Sequence, residues 1–265
     1  MRLTLFFIMI VAMAYAQEFY DAPAVTSSPG ISTKELDLHT DRQKNIKSFL
    51  TIVENPMGFM HVETATPEGC TKRQRTSKTA AENKCFFAIN AGPFNMDNGQ
   101  CGGSIISEGR IIQMDDTSGF SSFGISTSEN KYVFGNINST TVANHKIDEL
   151  VSGFIGPLLI KDNAPVTSGS TLIAQRQAIG LDASGKFLIL TIDGAENRDS
   201  GMTINELGEA FHALGAVVAL NLDGGGSTTT YEDGHWVDRP TCSDYRLPAC
   251  ERKVASILCV KETPN

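Results

Sequence analysis

Residues 216–230 read AVVALNLDGGGSTTT, an apolar run that ends in a carboxylate, three consecutive glycines and a hydroxyl. Val217, Val218, Ala219 and Leu220 predict a short strand buried in a sheet, because the apolar run is uninterrupted and bounded by glycine on both sides. Asp223 then stands at the strand's mouth. Glycine loses more backbone freedom on folding than any other residue, so three in a row mark a place where φ is positive or something approaches closely. Such a turn can aim successive N–H groups at one point. Gly224, Gly225, Gly226 and the Ser227 hydroxyl therefore predict an anion-binding nest with phosphate as its natural guest. The same residues also read as a plain wide turn in which Asp223 accepts local amide bonds.

Upstream, residues 187–192 (FLILTI) predict a strand that delivers Asp193 and Gly194, and residues 182–185 (DASG) predict the hairpin turn before it. Residues 180–186 formally match the start of a nucleotide-binding P-loop. Phe187 stands where Ser or Thr would hold magnesium, and a strand follows where a helix is needed, so that reading fails. Thr203 and Glu206 have the spacing of a capping box, and Ile204, Leu207, Phe211 and Leu214 form the inward stripe of a helix that Gly215 stops. Glu206 accordingly reads as a cap and not an acid catalyst, and His212 as a surface or packing residue.

Elsewhere, residues 48–52 and 58–64 read as strands split by Asn55-Pro56. Residues 76–84 read as a short helix with Thr76 or Ser77 at its N-cap, and 85–90 as a buried strand. Residues 104–113 and 121–134 read as hairpins turning at Glu108-Gly109 and near 128–130. Residues 152–161 read as a further strand broken at Gly156-Pro157. The predicted fold class is α+β: hairpin-rich mixed β-sheets packed by a few helices in a single disulfide-tied domain.

Residues 1–16 have a signal peptide's parts: Arg2, an apolar core, and Ala14-Tyr15-Ala16 as a small-x-small cleavage site. The mature chain is expected to be secreted or lumenal, with no membrane segment after cleavage and no KDEL-like address at Asn265. Residues 17–69 are expected to form an N-terminal arm and the first strands, 70–260 the main domain and 261–265 a short tail. The net charge is −8 with no basic stripe, which excludes nucleic acid and anionic membranes as natural partners. Cys70, Cys85, Cys101, Cys242, Cys250 and Cys259 contain no C-x-x-C pair; they predict disulfides in an oxidising compartment, with a pairing that spacing alone leaves open. Asn138-Ser139-Thr140 is a glycosylation sequon. No metal and no cofactor is expected, since there is neither an H-E-x-x-H nor an EF-hand pattern, and the absence of G-x-S-x-G argues against a serine hydrolase.

Taken in order, Arg176, Asp193-Gly194, Gly201-Met202-Thr203, Glu206-Leu207, the run from Asn221 to Ser227 and the ending CERKVASILCV (250–260) resemble the phosphodiester glycosidase family. The likeness extends from about Cys70 to Val260. At residues 90–94 the family's usual Asn-Gly-Gly-Phe-Phe pattern is met by Asn90 and Phe94, with Ala91 and Pro93 departing from it. The resemblance implies disulfides Cys70–Cys101, Cys85–Cys259 and Cys242–Cys250. It also implies hydrolysis of a sugar-1-phosphodiester bond, with N-acetylglucosamine on a phosphate-bearing mannose glycan as the leading substrate.

That chemistry sets expectations for the site. Ordinary glycosidases protonate a poor alkoxide leaving group, whereas a phosphate monoester already leaves well, so phosphate binding should matter more than acid catalysis. Arg176 would grip the phosphate. Asn90, the amides of Gly224, Gly225 and Gly226, and Ser227 would take its remaining oxygens, and Asn221 would join them in binding substrate. Asp193 and Asp223, both at strand ends, would stabilise the cationic sugar or activate water. Glu196 and Arg198 are second-rank candidates for sugar contacts. Two rival readings stand beside this one: a non-catalytic secreted module that binds phosphoglycans through the same nest, and a disulfide-tied structural protein in which the glycines only turn.

Overall fold

The computed structural model describes residues 17–43, 45–66, 69–154, 156, 158–196, 200–245 and 249–263. The expected signal peptide, Arg198, Pro157 and the last two residues of the tail lie outside the described residues. In chain order the strands are β1 (Glu18–Asp21), β2 (Ile31–Leu38), β3 (Ile46–Val53), β4 (Met60–Thr64), β5 (Gln74–Arg75), β6 (Phe87–Asn90) and β7 (Ile105–Ser107). They continue as β8 (Arg110–Gln113), β9 (Ser122–Ser126), β10 (Lys131–Gly135), β11 (Glu149–Ser152), β12 (Ile160–Lys161), β13 (Ala164–Pro165) and β14 (Arg176–Asp182). The last are β15 (Phe187–Ile192), β16 (Ala216–Asn221), β17 (Thr230–Glu232), β18 (His235–Trp236), β19 (Lys253–Val254) and β20 (Ser256–Val260). The helices are α1 (Thr76–Glu82), α2 (Ser139–His145) and α3 (Ile204–Ala213).

Three sheets wrap one core. A seven-stranded sheet runs β13-β12-β16-β14-β15-β3-β2, a six-stranded sheet β1-β10-β9-β11-β7-β8 and a five-stranded sheet β18-β17-β6-β20-β4, with β19 and β5 as a small separate pair. Ile179, Leu181, Phe187, Ile189 and Leu220 of the first meet Phe123, Tyr132 and Phe134 of the second and Val62, Phe87, Ile89 and Leu258 of the third. The alternate residues Ala178, Leu190, Ile192 and Ala219 face Leu207 and Phe211 of α3 on the other side. Burial of both faces explains the nearly continuous apolar runs of β15 and β16, interrupted only by the buried Thr191 and Asn221, for neither strand has a wet side to encode.

The central strand expected from the opening stretch is β16, and the FLILTI strand is β15 with the bounds read from the sequence. The capping box of α3 is complete: the Glu206 amide donates to Thr203 Oγ1 at 3.2 Å and the Thr203 amide to Glu206 Oε2 at 2.7 Å. Helix α1 differs from expectation. Its N-cap is Arg75, and Glu251 does the capping from another part of the chain, accepting the Ser77 amide and hydroxyl, each at 2.7 Å. The strand expected over 152–161 is divided: β11 ends at Ser152 in the six-stranded sheet and β12 starts at Ile160 in the seven-stranded one. Cys70–Cys101, Cys85–Cys259 and Cys242–Cys250 are bonded. Among the described residues no helix is long and apolar enough to cross a membrane.

Candidate active site

The start of β14 and the ends of β15 and β16 meet at one edge of the seven-stranded sheet, because the three strands are antiparallel neighbours. Arg176, Asp193 and the loop after Asn221 are therefore brought to the same end of the molecule by pairing alone. The glycine loop folds back over β14 as a 3-10 turn at Gly225–Ser227, with Gly225 at φ 57°. A Cβ on Gly224 would lie 2.7 Å from the Gln175 carbonyl, and one on Gly226 would lie 2.7 Å from the Glu196 carboxyl. Close approach of backbone and carboxylate, together with the positive φ, is what requires glycine here.

The same packing uses the amides that the sequence offered to an anion. Gly224 N–H donates to Asp223 Oδ1 at 3.0 Å, Gly225 N–H to the Gln175 carbonyl at 2.9 Å, and Ser227 N–H to the Gly224 carbonyl at 3.1 Å. Of the nest expected over the Gly224, Gly225 and Gly226 amides and the Ser227 hydroxyl, the Gly224 and Gly225 amides are taken by Asp223 and Gln175, and the Ser227 hydroxyl bonds Asp223. Asn90, expected to touch substrate, is fully buried and braces the loop instead: its Nδ2 donates to the Asp223 carbonyl at 2.7 Å and its Oδ1 accepts the Thr229 amide at 3.0 Å.

Asp223 is half-buried, and desolvation pushes its carboxyl up to about 6 against the opposing hydrogen bonds from Ser227 and Gly224. The cation that bears on it is Arg252, to which no role was given from the sequence. Arg252 Nη2 binds Glu196 Oε1 and Oε2 at 2.8 and 2.9 Å, and its Nε binds Asp244 Oδ1 at 2.9 Å. Glu196 also accepts the Ser243 amide at 2.6 Å. Burial raises the Glu196 carboxyl, but the bonds from Ser243 and Arg252 outweigh it and hold the group below its usual value. Glu196 is therefore an ionised anchor under the glycine loop. A basic residue between Cys250 and the apolar run of β20 was the available signal for Arg252.

Arg176 is buried, its Nε donating to the Met202 carbonyl at 2.9 Å and its Nη2 to the Leu172 carbonyl at 2.5 Å. Among the described residues it meets no carboxylate. Burial lowers its guanidinium to about 10, which leaves it charged at neutral pH. It lines a cavity of about 110 Å³ with Asn221, whose Oδ1 is buried without a partner among the described residues; Leu158, Leu159 and Ile204 supply apolar walls. Asp193 opens instead into a shallow cavity of about 430 Å³ with Lys47, Ser200, Arg239 and Thr241, and burial raises its carboxyl. A polar seam borders the Asp193 cavity: Gln175 Nε2 donates to Thr241 Oγ1 at 2.7 Å and that hydroxyl to the Gly194 carbonyl at 3.2 Å.

Sequence reading also missed Asp238. It is buried, accepts the Thr230 amide on Oδ1 at 2.6 Å and leaves Oδ2 without a partner among the described residues. Desolvation pushes it up to about 8, with Asp193 and Glu251 adding to the rise. Asn138, the sequon residue, caps α2 by accepting the Thr141 amide on Oδ1 at 2.9 Å.

Comparison with known proteins points one way. The phosphodiester glycosidase family profile matches residues 83–261. The chain is 27% identical over 263 residues to human N-acetylglucosamine-1-phosphodiester alpha-N-acetylglucosaminidase, which covers 91% of this chain and 50% of that protein. It spans about half the length, or less, of the curated relatives it matches. The catalytic domain of the zebrafish protein of the same name, solved in a form auto-inhibited by its pro-peptide, has a TM-score of 0.83 at 25% identity, covering 93% of this chain and 88% of that one. A hypothetical protein from Synechocystis shares the fold, with a TM-score of 0.68 at 17% identity over 87% of this chain and 62% of that one.

Proposed function

Because the chain belongs to the phosphodiester glycosidase family, we propose that it hydrolyses the bond between a sugar's anomeric carbon and a phosphodiester. An N-acetylglucosamine-1-phosphodiester is the substrate favoured by the names of the human and zebrafish relatives, and a phosphate-bearing mannose glycan is the acceptor that the sequence resemblance implies. The observation that carries the reading is Arg176. A buried guanidinium that meets two carbonyls and no carboxylate among the described residues is an uncompensated charge, and an anion is what compensates it. Asn221 opens into the same cavity. Asp223 stands on the turn that covers the backbone of Arg176, where a Cβ on Gly224 would lie 3.5 Å from the Arg176 Cα.

Division of labour follows from the leaving group. A phosphate monoester departs without a proton, so Asp223 works as the carboxylate, stabilising the developing oxocarbenium ion or taking a proton from water. Arg252 and the Glu196 anchor hold the turn that carries Asp223, and Asp193 lies beside the Gln175–Thr241 seam. The disulfides fit an oxidising compartment, the secretory lumen or the exterior, and Asn138 is the proposed glycan site.

The test is release of free N-acetylglucosamine from UDP-N-acetylglucosamine, with Asp223→Asn and Arg176→Lys alongside. Release that falls sharply in Asp223→Asn and shows a raised KM in Arg176→Lys supports the reading. Saturable binding of the same compound without release indicates a phosphoglycan-binding module instead, and release indifferent to both substitutions places the chemistry elsewhere.

A further inference from the structure

The hairpin of β17 and β18 carries the chain's single tryptophan, Trp236, to the surface, where it is 46% exposed. Tyr231 is its register partner, so the two side chains project from the same face of the hairpin. Among the described residues neither ring contacts another aromatic ring. They line instead a cavity of about 420 Å³, shared with Gly234, His235 and, from α1, Ser77 and Lys78. The position of α1 is tied to the glycine-loop region through Glu251, which holds Ser77 and precedes Arg252 in the chain.

We propose that this cavity is a binding site for a neutral pyranoside. A pyranose ring presents a face of aliphatic C–H groups and a rim of hydroxyls. The face suits the indole and phenol planes, and the rim suits the indole N–H, the phenol O–H, the His235 imidazole and the Lys78 ammonium. The volume lies within the roughly 300–1,000 Å³ of small-molecule sites. A neutral guest fits a lining in which, among the described residues, no carboxylate stands and the one ammonium, Lys78, keeps Glu82 as an exposed partner at 3.6 Å while its other N–H groups stay open to hydroxyls. A protein partner needs about 800 Å² on each side, with several apolar anchors. The other large exposed apolar side chains, Phe19, Val25, Met96, Ile111, Phe154 and Leu172, do not line this cavity. The inference is independent of the hydrolase reading, for none of the lining residues has a part in that chemistry.

Since Trp236 is the single tryptophan, its emission reports on this cavity directly. Titration with methyl α-mannopyranoside and with N,N′-diacetylchitobiose is expected to shift the emission saturably with at least one of them, in the millimolar range, while sorbitol leaves it unchanged. Saturation-transfer NMR on the Trp236→Ala protein, a surface change that spares the core, is expected to lose the saccharide signal. Tyr231→Ala is expected to weaken binding by about fivefold to tenfold, the worth of one aromatic contact, with sugar release from UDP-N-acetylglucosamine unchanged. A flat titration with both saccharides, an undiminished NMR signal in Trp236→Ala, or an emission shift that tracks protein concentration without sugar would overturn the proposal, the last by showing that a second copy covers the face.

Discussion

Asp223 and Asp238 are both carboxyls lifted by desolvation, yet they predict different measurements. Asp223, pushed up to about 6, is neutral below that pH and ionised above it. If it acts as the carboxylate, kcat/KM rises with pH through about 6, and Asp223→Asn lowers the rate by about 10²- to 10⁴-fold and flattens that limb. A rate that falls through the same pH would make Asp223 an acid and reverse its role. Asp238 bears on stability. Its folded value of about 8 lies above the ordinary 3.8, so the folded state holds its proton longer and stability drains away as pH rises from about 4 to about 8. Asp238→Asn keeps an acceptor for the Thr230 amide and removes the titration. Thermal melts should show it close to the parent at pH 4 and more stable by about 2 °C or more at pH 8. Neither environment was legible in the sequence: Asp223 stood out by its motif, but its burial is a product of packing, and Arg252 is held by Glu196 and Asp244, the first of them 56 residues away in the chain.

At the level of elements, the decisive unit is the strand β16 with the turn that follows it. Its apolar run, its bounding glycines and the capping box of α3 were readable because each depends on neighbours within a few residues. What the glycines accommodate was not readable for the complementary reason. Gly224 and Gly226 are required by Gln175 and Glu196, which lie about 50 and 30 residues away and approach only in the folded sheet. Gly226→Ala tests this. The new methyl group meets the Glu196 carboxyl at 2.7 Å, so the carboxylate must leave Arg252 or the turn must open. A loss of about 1–3 kcal/mol of stability is expected, together with reduced sugar release. Denaturant titration that leaves the midpoint unchanged would mean that the loop is looser than the packing implies.

For the whole molecule, three sheets share one core and the N-terminal and C-terminal segments both enter it. Strand β4 pairs with β20, which pairs with β6, and Cys85–Cys259 bonds the segment leading into β6 to β20. Because that bridge closes a loop of 174 residues in sequence separation, the Cys85→Ser, Cys259→Ser double variant should lose about 2–5 kcal/mol. The much smaller Cys242–Cys250 loop restrains less chain entropy but positions the segment between its cysteines beside Glu196. Removing it should cost activity more than stability, a contrast that parallel melting and sugar-release measurements would reveal.

By itself the sequence determined the strands β15 and β16, the capped helix α3, the hairpins and, through ordered motifs, the family, since these rest on local periodicity, turn chemistry and residue order. Tertiary structure alone decided which arginine bears on Asp223, that the Gly224 and Gly225 amides are spent on Asp223 and Gln175, that Asn90 is a brace and that Asp238 is buried. The physical reason is range. Propensity and capping act over a handful of residues, whereas desolvation, charge pairing and close backbone approach act between groups that only the packed sheets bring together.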